Sequence, residues 1–339
     1  MIAYSVIAQV FAGVSTRARV LIAALAIAML AAPLVLDRYL LSVLILVCLA
    51  AYTGQAWNIL LGFAGLLSLG HALYLGLGAY VSAALYVHFG IGPWLGVFPA
   101  VGACIVVAAL LGWLAFRFRI EGVYFALLTI AFAEVARVGF DHIGTTGGAG
   151  GFFLPVRSED QGQWWNLRGG PTFFYYLALL LASAAFVLCA VLRRSRLGHR
   201  WLAVREDPEA ARALGIDINR ARMAALLLSA GMTGIAGVFQ AFYANNLFPS
   251  QIFDISRSID IILAPIIGGI GTLFGPILGA FVLAPLGEAL ISATGAIGLN
   301  APGTKALFFG LFLMAIIAIV PSGLWPRLAG VLRLRSAPR

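Results

Sequence analysis

Long apolar stretches alternate with short polar ones along almost the whole chain. There are ten apolar segments, at 20–36, 39–58, 64–88, 94–116, 122–140, 173–192, 223–243, 259–271, 276–294 and 305–321. A helix needs about 20 apolar residues to cross the roughly 30 Å hydrocarbon core of a bilayer. The pattern therefore predicts an all-α, polytopic membrane bundle of about ten transmembrane or broken helices.

The eighth segment, 259–271, is too short to cross a bilayer by itself. It contains Pro265 and Gly268, and Gly275 and Pro276 follow it directly. Such residues interrupt helices. We therefore predict that the eighth and ninth segments are broken helices, and the pattern leaves open whether they span the membrane or re-enter it.

Clusters of arginine predict the orientation of the chain. They flank the first, fourth, sixth and tenth segments, at 17–19, 117–119, 193–196 and 327–339. With ten segments counted, all four clusters fall on one side of the membrane, and removing any single crossing would move at least one of them. The positive-inside rule makes that side cytoplasmic, so we expect both termini in the cytoplasm.

The composition agrees with a membrane protein. Hydrophobic residues make up 62% of the chain and charged residues 10%, against roughly a quarter charged in soluble domains. The net charge of +9 is concentrated in the arginine clusters, and no nucleic-acid-binding module accompanies it, so we expect no nucleic-acid partner. Cys48, Cys104 and Cys189 lie in apolar segments. We expect them to be small buried hydrophobes, with no disulfide, metal site or cofactor.

The sequence lacks the signatures of an enzyme. It contains no GxxxxGK[ST] phosphate-binding loop, its one lysine is Lys305, and no Ser/His/Asp, Cys/His or clustered-carboxylate arrangement lies in a water-accessible segment. We therefore expect that the chain does not hydrolyse ATP. If ATP drives transport, the energy must enter through another subunit.

The inner loop, 193–222, contains the signals of one short, self-capped helix. These signals are carried by Asp207, Pro208, Glu209, Ala210, Ala211 and Gly215. Aspartate is a good N-cap, proline suits the first helical position, glutamate favours the positive end of the helix dipole, and glycine can adopt a left-handed stop. Such a helix fits docking into a groove of a partner. From physics alone, a solvated turn fits equally well.

The same helix carries a family resemblance. Glu209-Ala210-Ala211, followed after three residues by Gly215, resembles the EAA loop of ABC-importer permeases, which inserts into the ATP-binding subunit. The longer stretch 195–216 more narrowly resembles the LivM-type permeases of branched-chain amino-acid importers. It lacks the downstream Ile-x-Leu-Pro of the general pattern, which separates it from the maltose-type group.

Two glycine-rich stretches extend the resemblance to about residues 40–322. Residues 58–71, leading into 76–80, and residues 268–280 are similar to that family's signatures. Interrupted helices tend to line the pathway of a transporter, so our pathway candidates are Ser68, His71, Gly76, Gly78, Gly268, Gly271 and Gly275. Small residues at such spacing fit plain helix packing equally well.

Three ionisable residues in the apolar segments can each be interpreted as structural or as part of the transport function. Glu134 and Arg137, three residues apart, fit a structural ion pair or a substrate contact. His71 fits a hydrogen-bonded packing position or a place in the pathway.

The resemblance implies the permease subunit of an ATP-driven importer in a bacterial inner membrane, forming one transmembrane domain over 1–339. It implies leucine, isoleucine or valine as cargo. Urea, short amides or aromatic acids remain alternatives within the class, and a secondary transporter without an ATPase is the rival from another class. The implied partners are two ABC ATPase subunits, a second permease of LivH type and a periplasmic binding protein. We expect that protein to dock on the outer loop, 141–172, through Arg157, Glu159, Asp160 and Arg168.

Overall fold

A computed structural model of the chain describes residues 16–155, 164–296 and 323–331, with single positions between 307 and 320. The described helices are α1 (Thr16–Val35), α2 (Arg38–Asn58), α3 (His71–Phe89), α4 (Pro93–Arg117), α5 (Val123–His142), α6 (Pro171–Arg194), α7 (Arg196–Glu206), α8 (Pro208–Ala213), α9 (Ile218–Ala244), α10 (Pro249–Ile252), α11 (Ile255–Gly268), α12 (Gly275–Ala296) and α13 (Leu324–Val331). Nine of the ten predicted segments fall on these helices. The tenth lies outside the continuously described residues.

Six helices in the described part of the chain are long and apolar enough to cross a membrane. They are α2 with the π-helical turn Ile59–Phe63 that extends it, α3, α4, α5, α6 and α9. The predicted all-α polytopic fold is confirmed. Helix α11, with 14 residues, is short, as its sequence predicted.

The predicted third segment was wrong at its start. It was expected to be helical from residue 64, whereas α3 begins at His71, and residues 64–70 have no helical structure. Gly65 explains part of the break, because its φ of +70° lies in the left-handed region, which a helix cannot use. The inner loop also differs from the prediction, because it contains α7 as well as the expected short helix α8.

The chain forms two compact units, each built from segments that are distant in sequence. Among the described residues, unit 1 contains those within 1–52, 171–195 and 263–339, and unit 2 contains those within 53–170 and 196–262. Two helices, α2 and α11, contribute to both units. The three cysteines are buried, Cys48 and Cys189 in unit 1 and Cys104 in unit 2.

The described core of unit 1 packs parts of α2, α11 and α12 against each other. It consists of Val47, Ala51, Leu263, Ala264, Ile267, Ala280 and Leu283. Helices α11 and α12 form a tight pair, because a Cβ atom on Gly279 would collide with the backbone of Ala264. Small residues let helix backbones approach in this way, as they do generally in membrane proteins.

Unit 2 is centred on α3, α4 and α9, which pack through glycines. A Cβ atom on Gly78 of α3 would collide with the backbone of Gly234 of α9, and a Cβ atom on Gly237 would collide with Leu75. Gly234 also faces Cys104 of α4, whose Sγ lies 2.7 Å from the Cβ position. A two-residue antiparallel pair, β1 (Phe152–Phe153) with β2 (Asn246–Leu247), joins the outer loop to the end of α9. The apolar pattern gave no signal for so short a ladder.

We predict that Gly78→Ala destabilises the protein, because even one methyl group meets backbone that cannot move aside. Overpacking of this kind costs about 1–3 kcal/mol. Gly102→Ala on α4 is the matched control, since a Cβ atom there meets nothing within 4 Å. Thermal unfolding in nanodiscs measures both, and equal stability of the two variants would contradict the close α3–α9 packing.

Candidate functional site

The break before α3 is held together by side chains from other helices of unit 2. The Leu69 amide donates to Thr129 Oγ1 on α5 (3.1 Å), and the Ala72 amide donates to Ser258 Oγ on α11 (2.9 Å). Trp57 Nε1–H donates to the Ser68 carbonyl oxygen (2.9 Å). Irregular backbone at membrane depth must find such partners, because lipid offers none. The sequence reading missed Thr129 and Ser258, which lie far from the break in sequence.

His71, the first residue of α3, is fully buried in a short hydrogen-bonded chain. Ser229 Oγ donates to the Ala56 carbonyl oxygen at 2.7 Å, so the hydroxyl proton is used there. The His71 Nε2 atom, 2.8 Å from Ser229 Oγ, is then the donor to that hydroxyl. In the described structure His71 Nδ1 has no hydrogen-bond partner.

This polar chain lies deep along α9. Ser229 comes 11 residues after Ile218, the first residue of α9, which corresponds to about 16 Å along the helix axis. Ser229 is the twelfth of the 27 residues of α9 and therefore lies close to the middle of that helix. The break therefore brings a histidine and several hydroxyl groups to the middle of a spanning bundle, where polar groups are costly unless they are bonded or functional.

The other pathway candidates divide between the two units. In unit 2, Ser68 is fully buried, and Gly76 leaves room for the ring of Phe253. Gly78 makes the helix contact described above, so both glycines serve packing.

In unit 1, Gly268 and Gly275 face each other across the turn between α11 and α12, where a Cβ atom on Gly268 would collide with the Gly275 carbonyl group. Gly271 lies in that turn with φ +74°, and Thr272 Oγ1 accepts from the Gly275 amide at 3.0 Å. Plain helix packing, the alternative that the sequence left open for these glycines, does not describe Gly271. It is a turn residue instead.

Polar contacts mark two opposite ends of unit 2. At one end, which we call the α8 end, Arg205 of α7 donates to the Gly62 carbonyl oxygen (2.5 Å) and Arg222 pairs with Glu121 (2.7 Å). At the other, the β end, His88 bonds the Thr145 carbonyl oxygen and Trp94 donates to that of Trp164, both at 2.9 Å. Within unit 2, segments predicted on the same side of the membrane meet at the same end.

Arg168, a predicted docking residue, is buried at the β end and is only 5% exposed. Its guanidinium donates to Asn245 Oδ1 and to the Pro155 carbonyl oxygen, and it lies over the rings of Tyr86 and Phe242 at 5.7 and 5.9 Å. A side chain held in this way ties the outer loop to α9. It is not a free rim charge, because its two terminal nitrogens are hydrogen-bonded and its guanidinium lies over two aromatic rings inside unit 2. The other docking candidates, Arg157, Glu159 and Asp160, lie outside the described residues.

Helix α8 is capped at both ends as its sequence predicted. Asp207 Oδ1 accepts from the amides of Glu209 (2.9 Å) and Ala210 (3.0 Å). Gly215 has φ +81°, its amide donates to the Arg212 carbonyl oxygen, and the next amide, of Ile216, donates back to Ala211. These two bonds form a Schellman motif.

The faces of α8 differ from the expectation in one respect. Ala211, expected to meet a partner, points into unit 2 and is 2% exposed, whereas Glu209 and Ala210 are exposed and Leu214 is 80% exposed. Beside it, α7 anchors the loop through Trp201, which is fully buried and donates to the Ala221 carbonyl oxygen at 2.7 Å. The sequence reading missed this anchor because a single tryptophan among arginines gives no periodic signal.

Glu134 and Arg137 form the expected ion pair on α5. Arg137 bonds both oxygens of Glu134, with the shortest distance 2.5 Å, and also bonds Asp141 one turn later at 2.9 Å. The Glu134 side chain remains 57% exposed. The pair fits a structural role, and the substrate contact stays a prediction.

The family profile described as "Branched-chain amino acid transport system / permease component" matches residues 39–318. The chain belongs to this permease family. The permease is similar to the high-affinity branched-chain amino acid transport system permease protein LivM of Escherichia coli (strain K12), with 28% identity over 80% of this chain and 68% of that protein. It is equally similar, at 28%, to LivM of Salmonella typhimurium (strain LT2), over 96% of this chain and 79% of that protein.

LivH of Escherichia coli (strain K12) is also a relative of the permease, with 26% identity over 67% of this chain and 73% of LivH. No solved structure gives a significant match. The resemblance to LivM-type permeases seen in the sequence is confirmed, and the chain is a multi-pass inner-membrane transport subunit.

We predict that Ser258→Ala destabilises the permease, because it leaves the buried Ala72 amide without an acceptor. A buried donor left unsatisfied costs about 1–3 kcal/mol. Ser256→Ala, an exposed change on the same helix, is the control and should have little effect. The measurement is thermal unfolding in nanodiscs, and an unchanged midpoint for Ser258→Ala would show that this bond does not support the break.

Proposed function

We propose that this permease is the LivM-type subunit of an ATP-driven importer and that its cargo is leucine, isoleucine or valine. The proposal rests on family membership over most of the chain, on relatives whose names specify branched-chain amino acid transport, and above all on α8. That helix is preformed and capped at both ends, and it presents an exposed face at the α8 end of unit 2.

We infer that α8 transmits movements of a bound partner subunit to the rest of the permease. A short helix with fixed ends moves as a rigid body, so a partner that holds its exposed face can displace the segments that flank it. Glu209, Ala210 and Leu214 provide that face, while Asp207 and Gly215 hold the geometry. The buried Ala211 has a different role, because its small side chain lets α8 pack closely against the rest of unit 2.

ATP hydrolysis then takes place in other subunits. The chain has no phosphate-binding loop, and its relatives are transport subunits rather than catalysts. We propose two ATPase subunits on the α8 side, a LivH-type permease as the second membrane subunit, and a periplasmic binding protein on the β side. In this arrangement the α8 end is cytoplasmic, the arginine clusters follow the positive-inside rule, and both termini are cytoplasmic.

For the pathway, the break before α3 is the best-supported element of unit 2. It places His71 Nδ1, an unfilled hydrogen-bonding atom, about halfway along α9, and broken helices near the middle of a bilayer are where transporters bind their cargo. Gly268, Gly271 and Gly275 of unit 1 remain candidates by the same reasoning. Selectivity among cargoes is expected to reside largely in the binding protein.

We predict that uptake requires ATP hydrolysed by another subunit. Reconstituted alone, the permease should give no concentrative uptake of leucine under an imposed ion gradient. Together with its ATPase subunits, partner permease and binding protein, the permease should accumulate leucine only when ATP is present. Robust uptake driven by an ion gradient without any ATPase would favour the secondary-transporter alternative.

We predict that Gly215→Val uncouples transport from ATP hydrolysis. A Cβ atom on Gly215 meets nothing within 4 Å, so the change acts only through its left-handed conformation, which costs a branched residue roughly 1–2 kcal/mol. Gly215→Asn is the matched control, because asparagine tolerates that conformation. Transport and binding-protein-stimulated ATPase activity are measured in the same proteoliposomes.

The exposed face of α8 is tested by Leu214→Asp and Ala210→Trp, which should weaken ATPase binding in a pull-down while leaving the amount of permease in the membrane unchanged. Ala211→Trp is not suitable for this purpose, because that side chain points into unit 2. Normal transport in Gly215→Val, Leu214→Asp and Ala210→Trp would mean that α8 is a solvated turn.

A further inference from the structure

An open groove of about 650 Å³ runs along the outside of unit 2 between α4 and α9, at the α8 end. The two helices are close here because of Gly112, where a Cβ atom would lie 2.8–2.9 Å from the side chains of Leu226 and Met223. The groove is therefore a fixed feature of a tight helix crossing and not a gap between mobile segments.

The lining of the groove changes from charged to apolar along the helix axes. Arg117, at the last residue of α4, and Arg220, near the first turn of α9, lie at the charged end together with Arg119. Trp113 lies four residues before Arg117, about 6 Å along α4, and Leu227 lies seven residues after Arg220, about 10 Å along α9. Trp113 is 60% exposed. Amphipathic rings of this kind favour the level of the lipid headgroups.

The charged end of the groove keeps excess positive charge. Asp217 compensates Arg220 at 3.1 Å, and Glu121 compensates Arg222 at 2.7 Å. In the described part of the chain, Arg117 and Arg119 are exposed and form no ion pair. Two guanidinium groups without an ion-pair partner therefore lie directly beside the apolar part of the groove.

The backbone gives a second, independent sign that Arg119 has a role of its own. It ends α4 in a Schellman motif, in which its amide donates to the Phe116 carbonyl oxygen and the amide of Ile120 donates to Ala115. Arg119 takes the left-handed position of that motif, with φ +55°. Glycine is the usual residue there, as Gly215 is after α8. Strained positions occupied by a side chain are often functional.

We propose that this groove binds one anionic phospholipid. The phosphate would lie between Arg117 and Arg119, which can bond it with two N–H donors each, and an acyl chain would follow the apolar lining past Trp113 and Leu227. A free anion such as inorganic phosphate would leave that apolar lining uncovered, so the lipid is the occupant that fits the whole groove. Basic pockets between membrane helices bind anionic headgroups in this way.

The test uses the fluorescence of Trp113, with the assembled importer reconstituted in phosphatidylcholine nanodiscs. Brominated phosphatidylglycerol or brominated phosphatidylcholine is added in increasing mole fraction, and the signal of a Trp113→Phe importer is subtracted to remove the other six tryptophans. We expect half-maximal quenching at a roughly 30-fold lower fraction of the anionic lipid, the preference that two basic residues near an anionic group provide.

Arg119→Gly combined with Arg117→Gln removes both free charges, and the glycine suits the left-handed position, so α4 keeps its end. This double variant should quench equally with both lipids. Arg257→Gln, which removes an exposed arginine of α11 that lies outside the groove, should keep the preference.

Four results would overturn the proposal. They are equal quenching of the wild type by both lipids, a preference that survives the double variant, displacement of the lipid by inorganic phosphate, and quenching seen only when the permease lacks its partner subunits. The third would make the groove a free-anion site, and the fourth would make it a protein interface.

Discussion

The structure of unit 2 depends on hydrogen bonds that side chains make to an interrupted backbone inside the bilayer. Between the π-helical turn and α3 the chain has no helical ladder of its own, and hydrocarbon cannot replace the missing partners. Thr129 and Ser258 supply partners from helices that are distant in sequence, and the ring nitrogen of Trp57 supplies one from the preceding helix α2. The hydrogen bonds of the break require those helices to be in place, so the break forms together with the tertiary structure of the unit.

The break before α3 also depends on close helix packing, because the donors and acceptors around it must be within reach of each other. Gly78 and Gly234 remove the side chains that would separate α3 from α9. Ser229, on the same helix α9, can then reach both His71 and the Ala56 carbonyl oxygen. Small residues and hydroxyl groups thus perform complementary tasks, the first bringing backbones together and the second bonding what the helices leave unsatisfied.

Much of this architecture could be predicted from the sequence. Apolar length located nine helices, and local rules located the caps of α8, because Asp207, Pro208 and Gly215 act within a few residues of each other. The start of α3 could not be predicted, since residues 64–70 are as apolar as the spans beside them, and Thr129 and Ser258, which bond the interrupted backbone, are distant in sequence. The burial of Arg168 could not be predicted for a similar reason. Its charge suggested exposure, whereas its partners Asn245 and Tyr86 come from other segments.

The bond between Arg205 and Gly62 has a mechanical consequence. Arg205 is the last residue but one of α7, two residues before Asp207, which caps α8, and its guanidinium donates to a carbonyl oxygen of the π-helical turn at 2.5 Å. Its stem lies against Gly65, where the Cβ position is only 3.0 Å from Arg205 Cγ. A displacement of α7 must therefore either break this bond or carry the turn with it. Only seven residues separate that turn from His71, so a short length of backbone connects the surface loop to the buried histidine.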